Sequence, residues 1–255
     1  MAKIILSYIN VLKPVIILFI GWEISSRYFF PEQSLFPPAS QVFKTFYLLA
    51  REGFLFDHIK ASFLRVAAGF FLGACTGLVL GIAMGWNEAI RNNISPIISI
   101  LYPIPAIGWL PLFILWIGIN ELLPVMIVFI CAFFPMLYNT MTGVKSVDQN
   151  LVKASKMLGA SEWQVLTTIV LPLALPNIFT GLKLEAGMAW RVIIAAEMIA
   201  ISTGLGSLLM KGESLLRVDI IIVCLLILSL LCFCSEKIFL LLENKLTSKW
   251  RDLDA

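Results

Sequence analysis

The chain has 255 residues, 60% of them hydrophobic and 14% charged, with a formal net charge of +3. Soluble domains run near 25% charged, so an ordinary soluble domain is excluded, and so small a net charge gives no footing for nucleic-acid binding. The apolar runs are long and few of them alternate, which predicts helical membrane spans rather than an outer-membrane barrel.

Six spans are predicted, each near the ~20 residues a helix needs to cross a bilayer. The first covers about 12–30; Lys3 precedes it and no small-residue cleavage site follows, so it reads as an uncleaved span. Pro31 and the Pro37-Pro38 pair mark a loop. A short amphipathic segment follows at about 39–57, with Val42, Phe43, Phe46, Leu49 and Ala50 at helical spacing. Span two is expected at about 62–86, span three at about 96–118, span four at about 121–142, span five at about 177–201 and span six at about 218–242. A single transmembrane domain therefore fills 1–255, with one polar interruption at 148–176.

Lysine and arginine in the loops set orientation. With the N-terminus inside, the inner side holds Lys3, Lys13, Arg91, Lys145, Lys153, Lys156, Lys237, Lys245, Lys249 and Arg251. The outer side holds Arg27, Lys44, Arg51, Lys60, Lys211 and Arg217. The excess favours both termini in the cytoplasm, and with them the loop NEAIRNN and the 148–176 segment.

Within the spans, Gly69, Gly73, Gly77, Gly81 and Gly85 recur every fourth residue and cut a groove along one face of span two, suited to close helix packing. Whether that seam also slides is left open. Span three carries prolines at 96, 103, 105 and 111, which no straight helix accommodates. Broken helices in a bilayer line pathways in many transporters, so Tyr102, Pro103, Pro105 and Trp109 are candidates for a pathway or gate, against a bent packing helix. Span five holds Glu185, Arg191 and Glu197, charges that face a bundle interior or a cavity. Glu197 shares a face with Trp190, seven residues earlier. It either pairs with another span, Arg65 being the candidate, or lies near a gate; Arg191, six residues earlier, is on a different face, and Trp190 and Arg191 are further candidates for the pathway. The single histidine, His58, gives no basis for a histidine-built metal site, and no metal is expected. Cys232 and Cys234 read as small packing residues.

The stretch KMLGASEWQVLTTIVLPLALP (156–176) is amphipathic instead. Leu151, Ala154, Leu158, Trp163, Leu166, Ile169 and Val170 fall at helical spacing, interrupted at Gly159. Two short cytoplasmic helices joined at Gly159 are expected, ended by Pro172 and Pro176 where span five begins. They either rest on lipid or dock a cytosolic partner.

At these residues the chain resembles the ABC importer permeases. Gly159, Ile169, Leu171 and Pro172 match the offsets of their cytoplasmic signature, Glu-Ala-Ala, three residues, Gly, nine residues, Ile-x-Leu-Pro. The start departs: Lys153-Ala154-Ser155 stands where the signature has Glu-Ala-Ala, so Lys153 is expected to meet an acidic group on the partner. Over about Phe36 to Trp250, segments such as LFPPASQVF, SFLRVAAGFFLG, PIPAIGWLPLFILWIG and TGLGSLL, with the AEM triplet at 196–198 and GLG at 204–206, look like the branch handling sulfonates, taurine and nitrate.

The resemblance implies an all-α type I importer fold whose coupling helix comprises Lys153, Ala154, Ser155, Leu158, Gly159, Ala160, Ile169, Leu171 and Pro172. It implies no catalysis on this chain. No G-x-x-x-x-G-K-[ST] loop occurs, so ATP and Mg are expected on two partner ATPase subunits. A second permease copy, in a homodimer, and an extracytoplasmic solute-binding protein or lipoprotein complete the set, in the cytoplasmic (inner) membrane. Among substrates, a pyrimidine vitamin precursor or another organic solute is the alternative. A self-sufficient secondary carrier or channel lacks an inverted repeat and an ion-coupling carboxylate cluster here. A membrane enzyme lacks clustered His, Asp or Glu in the spans.

Overall fold

The computed structural model describes residues 2–29 and 35–251 of a chain that is helical almost throughout. Pro31 of the first expected loop lies outside the described residues, as do the side chains of Lys3, Lys249 and Arg251 used above for orientation. The helices are α1 (Ala2–Phe29), α2 (Ala39–Arg51), α3 (Phe54–Trp86), α4 (Glu88–Leu101), α5 (Leu110–Ile117), α6 (Leu122–Lys145), α7 (Gln149–Met157), α8 (Glu162–Val165), α9 (Leu171–Ala200), α10 (Leu205–Ser214) and α11 (Val218–Arg251).

Among the described residues four helices are long and apolar enough to cross a membrane: Phe54–Trp86, Leu122–Lys145, Glu162–Ile199 and Val218–Lys245. The bent pair α4 and α5 makes a fifth if it is one span. The expected count of six is therefore approximate. The first expected span falls in α1, part of whose length lies outside the described side chains.

Two local readings are corrected, and the break expected in span three is located. NEAIRNN is not a loop: the Asn87 side chain accepts from the N–H groups of Ala89 and Ile90 and caps α4, which starts at Glu88. Span three is two helices at 85° to each other, because Pro103 and Pro105 each remove a backbone donor over 102–105. Pro172 and Pro176 do not end a helix. Pro172 sits at the junction of a π turn with α9 and removes one backbone donor there. A widened π turn over Leu166–Val170 takes up the crowding of its ring against the preceding turn, so the helix runs unbroken from Glu162 into the span.

The centre of the bundle is α3 against α6 and α6 against α9, with α11 on the far side of α9. The glycines of α3 set the first contact. A Cβ at Gly69, Gly73, Gly77 or Gly81 would lie 2.5–2.7 Å from the carbonyls of Val125, Phe129, Phe133 and Leu137, and one at Gly85 would lie 2.6 Å from Val144 Cβ. Without side chains the backbones close to contact, and dispersion replaces the hydrophobic drive that lipid does not supply. Val66, Phe70, Val128, Met136, Ala189, Trp190 and Ile193 fill the core above this seam. A smaller core of Val42, Leu55, Leu205, Leu208, Ile220 and Val223 joins α2 and α10 to α11.

Candidate functional site

The first site is the polar segment between α6 and α9, at the end of the bundle where α3 finishes. Asp148 caps α7 through the N–H of Asn150 at 2.8 Å. The helix stops in a Schellman turn: the N–H of Gly159 reaches the Lys156 carbonyl (3.0 Å) and that of Ala160 reaches the Ser155 carbonyl (3.1 Å). Gly159 has φ +89°, a conformation that side-chain-bearing residues rarely adopt. Ser161 and Gln164 then form a capping box that starts α8. Gly159 is thus required by the turn itself, and space around it is open.

The apolar spacing at this tip divides unlike the sequence pattern. Val152, Val165, Leu166 and Val170 are buried, Ala160 packs on them, and Ile169 and Leu171 are half-buried. Leu158 is 89% exposed, Met157 88% and Trp163 71%, together with Leu151 at 50%. Lys153 and Ala154 are exposed beside them. An apolar knob of Met157, Leu158 and Trp163 therefore projects from the bundle, which is the composition of a docking surface rather than of a solvated turn. Lys156 braces it: its Nζ is 2.5 Å from Glu162 Oε1 and 5.6 Å from the centre of the Trp86 ring, at the end of α3.

The second site lies at the opposite end of α3 and α9. Arg65 Nη1 donates to Glu197 Oε1 at 2.7 Å and to the Thr203 carbonyl at 2.9 Å. Its Nε and Nη2 fork onto Glu121, at 2.6 and 2.9 Å. Glu197 is fully buried and also accepts from Ser62 Oγ and from the N–H of Gly206. Ser62 Oγ accepts from the N–H of Leu205, and His58 Nδ1 lies 2.7 Å from the carbonyl oxygen and 3.0 Å from the nitrogen of Gly204. The whole Gly204-Leu205-Gly206 turn is therefore held by α3 and Glu197. Gly204 has φ +108° and no room for a Cβ, which would collide with the Glu197 carboxyl; a Cβ on Gly206 would collide with the Ile194 carbonyl. The AEM and GLG segments are two halves of one cluster. Arg65 is the partner the sequence nominated for Glu197. Ser62, Glu121 and Thr203 went unnoticed and His58 was weighed only as a metal ligand, since single polar residues carry no spacing signal.

With this geometry in hand, comparison with known proteins is decisive. The family described as binding-protein-dependent transport system inner membrane component matches residues 73–248. The chain belongs to this family. A taurine transport system permease protein of Escherichia coli is 32% identical over 236 residues, 91% of this chain and 86% of that protein. A nitrate import permease protein of a Synechocystis strain is 30% identical, over 92% of this chain and 89% of that one. Among solved structures, the methionine ABC transporter MetNI in an inward-facing form shares the fold, with TM-score 0.55 at 16% identity, covering 72% of this chain and 94% of that one. This chain is a membrane-embedded permease subunit of an ABC importer, and the family's subunit is non-catalytic.

The remaining candidates of this permease are spread out. Tyr102 and Pro103 are exposed at the bend between α4 and α5, where the Tyr102 ring lies 4.7 Å from that of Tyr138. Pro105 starts the 3-10 turn Ala106–Trp109 that leads into α5. Trp190 is buried, with Nε1 2.8 Å from Ser235 Oγ of α11. Arg191, its neighbour, is exposed on the outside of α9. Arg191 and Glu197 lie on different faces, as their spacing of six predicts: Glu197 turns inward to α3, and Arg191 turns to α11. Glu185 is fully buried in α9, and among the described residues neither carboxyl oxygen has a hydrogen-bond partner.

Proposed function

We propose that this permease carries a small oxyanion into the cytoplasm, taurine or a related sulfonate first and nitrate next. The relatives named above support this reading, since taurine and nitrate both present delocalised negative charge on planar or tetrahedral oxygens. In the proposed complex two copies of the chain form the pathway. Two ATPase subunits hold ATP and Mg, and an extracytoplasmic binding protein or lipoprotein delivers the solute. Both termini and the 148–176 segment lie in the cytoplasm.

One observation carries the mechanism: an apolar knob of Met157, Leu158 and Trp163 stands at the end of a helix that continues without a break to Ile199. Each knob seats in a groove of one ATPase subunit. ATP binding closes the ATPase pair, draws the two knobs together and turns the pathway outward; hydrolysis resets it inward, a two-state rocking in which a local event moves whole helices.

The test is purification of the tagged chain from its own membranes, with co-purifying proteins identified and counted, followed by uptake of labelled taurine and nitrate. One ATPase subunit per permease, lost on Gly159→Trp together with uptake while membrane insertion persists, is the expected result. Normal uptake by Gly159→Trp overturns the coupling role. A chain that purifies alone and moves solute without ATP overturns the importer reading for a secondary carrier.

A further inference from the structure

We propose that the groove between α9 and α11 is an anion site on the translocation path, taking the sulfonate or nitrate group of the solute; this rests on the oxyanion reading above. The groove has a volume of about 360 Å³, and Lys183, Gly187, Arg191, Glu236 and Lys237 line it. Arg191 stands nine residues before the end of α9, about 14 Å deep at 1.5 Å per residue. Lys183 stands eight residues nearer the coupling knob, about 12 Å further along. The cations therefore run from mid-depth of the span toward the knob.

Lipid does not accept this face. Lysine and arginine at such depth are costly against hydrocarbon and turn to a protein interior or to water. Within the chain they are only partly compensated. Lys183 is paired with Glu243 at 2.6 Å. Glu236 lies flat against the α9 backbone, where a Cβ on Gly187 would collide with it. Arg191 contacts the Cys232 thiol and Lys237 stands over the Phe233 ring at 5.4 Å; neither makes an ion pair with a carboxylate among the described residues. Three cations thus meet two carboxylates, and the forked guanidinium of Arg191 keeps donors suited to two oxygens of an oxyanion at once. Trp190, bonded to Ser235 just beside it, keeps the two helices in register.

Cys232 is a natural reporter, half-buried, with its thiol 3.7 Å from Glu236 Oε1. In the intact complex carrying Cys75→Ala and Cys234→Ala, with Cys131 and Cys224 buried, the thiol is titrated with two methanethiosulfonates. One bears a sulfonate and the other a trimethylammonium, and each rate is normalised to that with a free small thiol. An excess of positive charge in a cleft raises the local concentration of anions, so the anionic reagent is expected to lead by about tenfold. Excess taurine or nitrate should slow it, and Arg191→Gln should erase the preference. Arg191→Gln should also lower oxyanion uptake about tenfold, and Arg191→Lys should restore part of it. No reaction with either reagent, a preference for the cation, or an anion preference that Arg191→Gln leaves intact each overturns the site. An anion preference as expected, in a transporter that moves no oxyanion, leaves the groove standing and removes the substrate reading instead.

Discussion

Arg65 and Glu197 are 132 residues apart in the chain and 2.7 Å apart in the fold, both buried. Removing Arg65 leaves the buried Glu197 charge uncompensated, at a cost of about 3–5 kcal/mol, whereas removing Glu197 leaves Arg65 its fork onto Glu121 and should cost less. Glu197→Gln and Arg65→Gln are each expected to lower the melting temperature of the detergent-solubilised complex by several degrees. The double variant should be less destabilised than the sum of the two. Strict additivity in that cycle would show that the pair contributes nothing.

Gly204 and Gly53 both hold positive φ, at +108° and +76°, but only Gly204 is crowded. Gly204→Ala forces a methyl into the Glu197 carboxyl, whereas at Gly53 the added methyl meets open space. Thermal unfolding of the two alanine variants should therefore differ sharply, with Gly204→Ala far the less stable. Equal losses would mean that backbone conformation alone decides.

At Gly159 the conformation is the whole requirement, since nothing lies within 4 Å of where a Cβ would be. Asparagine tolerates left-handed backbone far better than a β-branched residue. Gly159→Asn should keep most of the ATPase co-purification that Gly159→Val loses. If Asn is as damaging as Val, a partner's backbone must pack on this position.

Among the described residues no donor is in reach of either Glu185 oxygen. A buried polar group without a partner is a net cost, and an apolar residue of similar volume is neutral or stabilising there. Glu185→Met is expected to keep or raise the melting temperature. A fall would show that the carboxyl is engaged in the assembled complex.

Sequence periodicity made the helices of this fold legible because charges are few and apolar runs are long. The packing of α3 was legible for a sharper reason: five glycines at a spacing of four leave one face bare. Glu197 and Arg65 could be matched because each is a charge stranded in an apolar run. Their companions Ser62, His58 and Thr203 could not, since they act largely through backbone groups of a turn that only the tertiary fold brings near. The continuity of α8 into α9 was hidden because prolines normally read as stops, and a π turn leaves no pattern of its own. Spacing marked Leu158 and Trp163 as apolar, but periodicity cannot say whether an apolar face turns inward or waits for a partner.

The unbroken helix from Glu162 to Ile199 spans 38 residues, a rod about 57 Å long. Its two ends are the knob at Trp163 and the carboxyl of Glu197, so neither can be displaced alone. Pivoting the rod about its midpoint by about 10° would carry each tip about 5 Å in opposite senses. In the proposed mechanism the subunit is thus geared as a lever: a push delivered at one membrane face arrives at the other with its direction reversed and its size preserved.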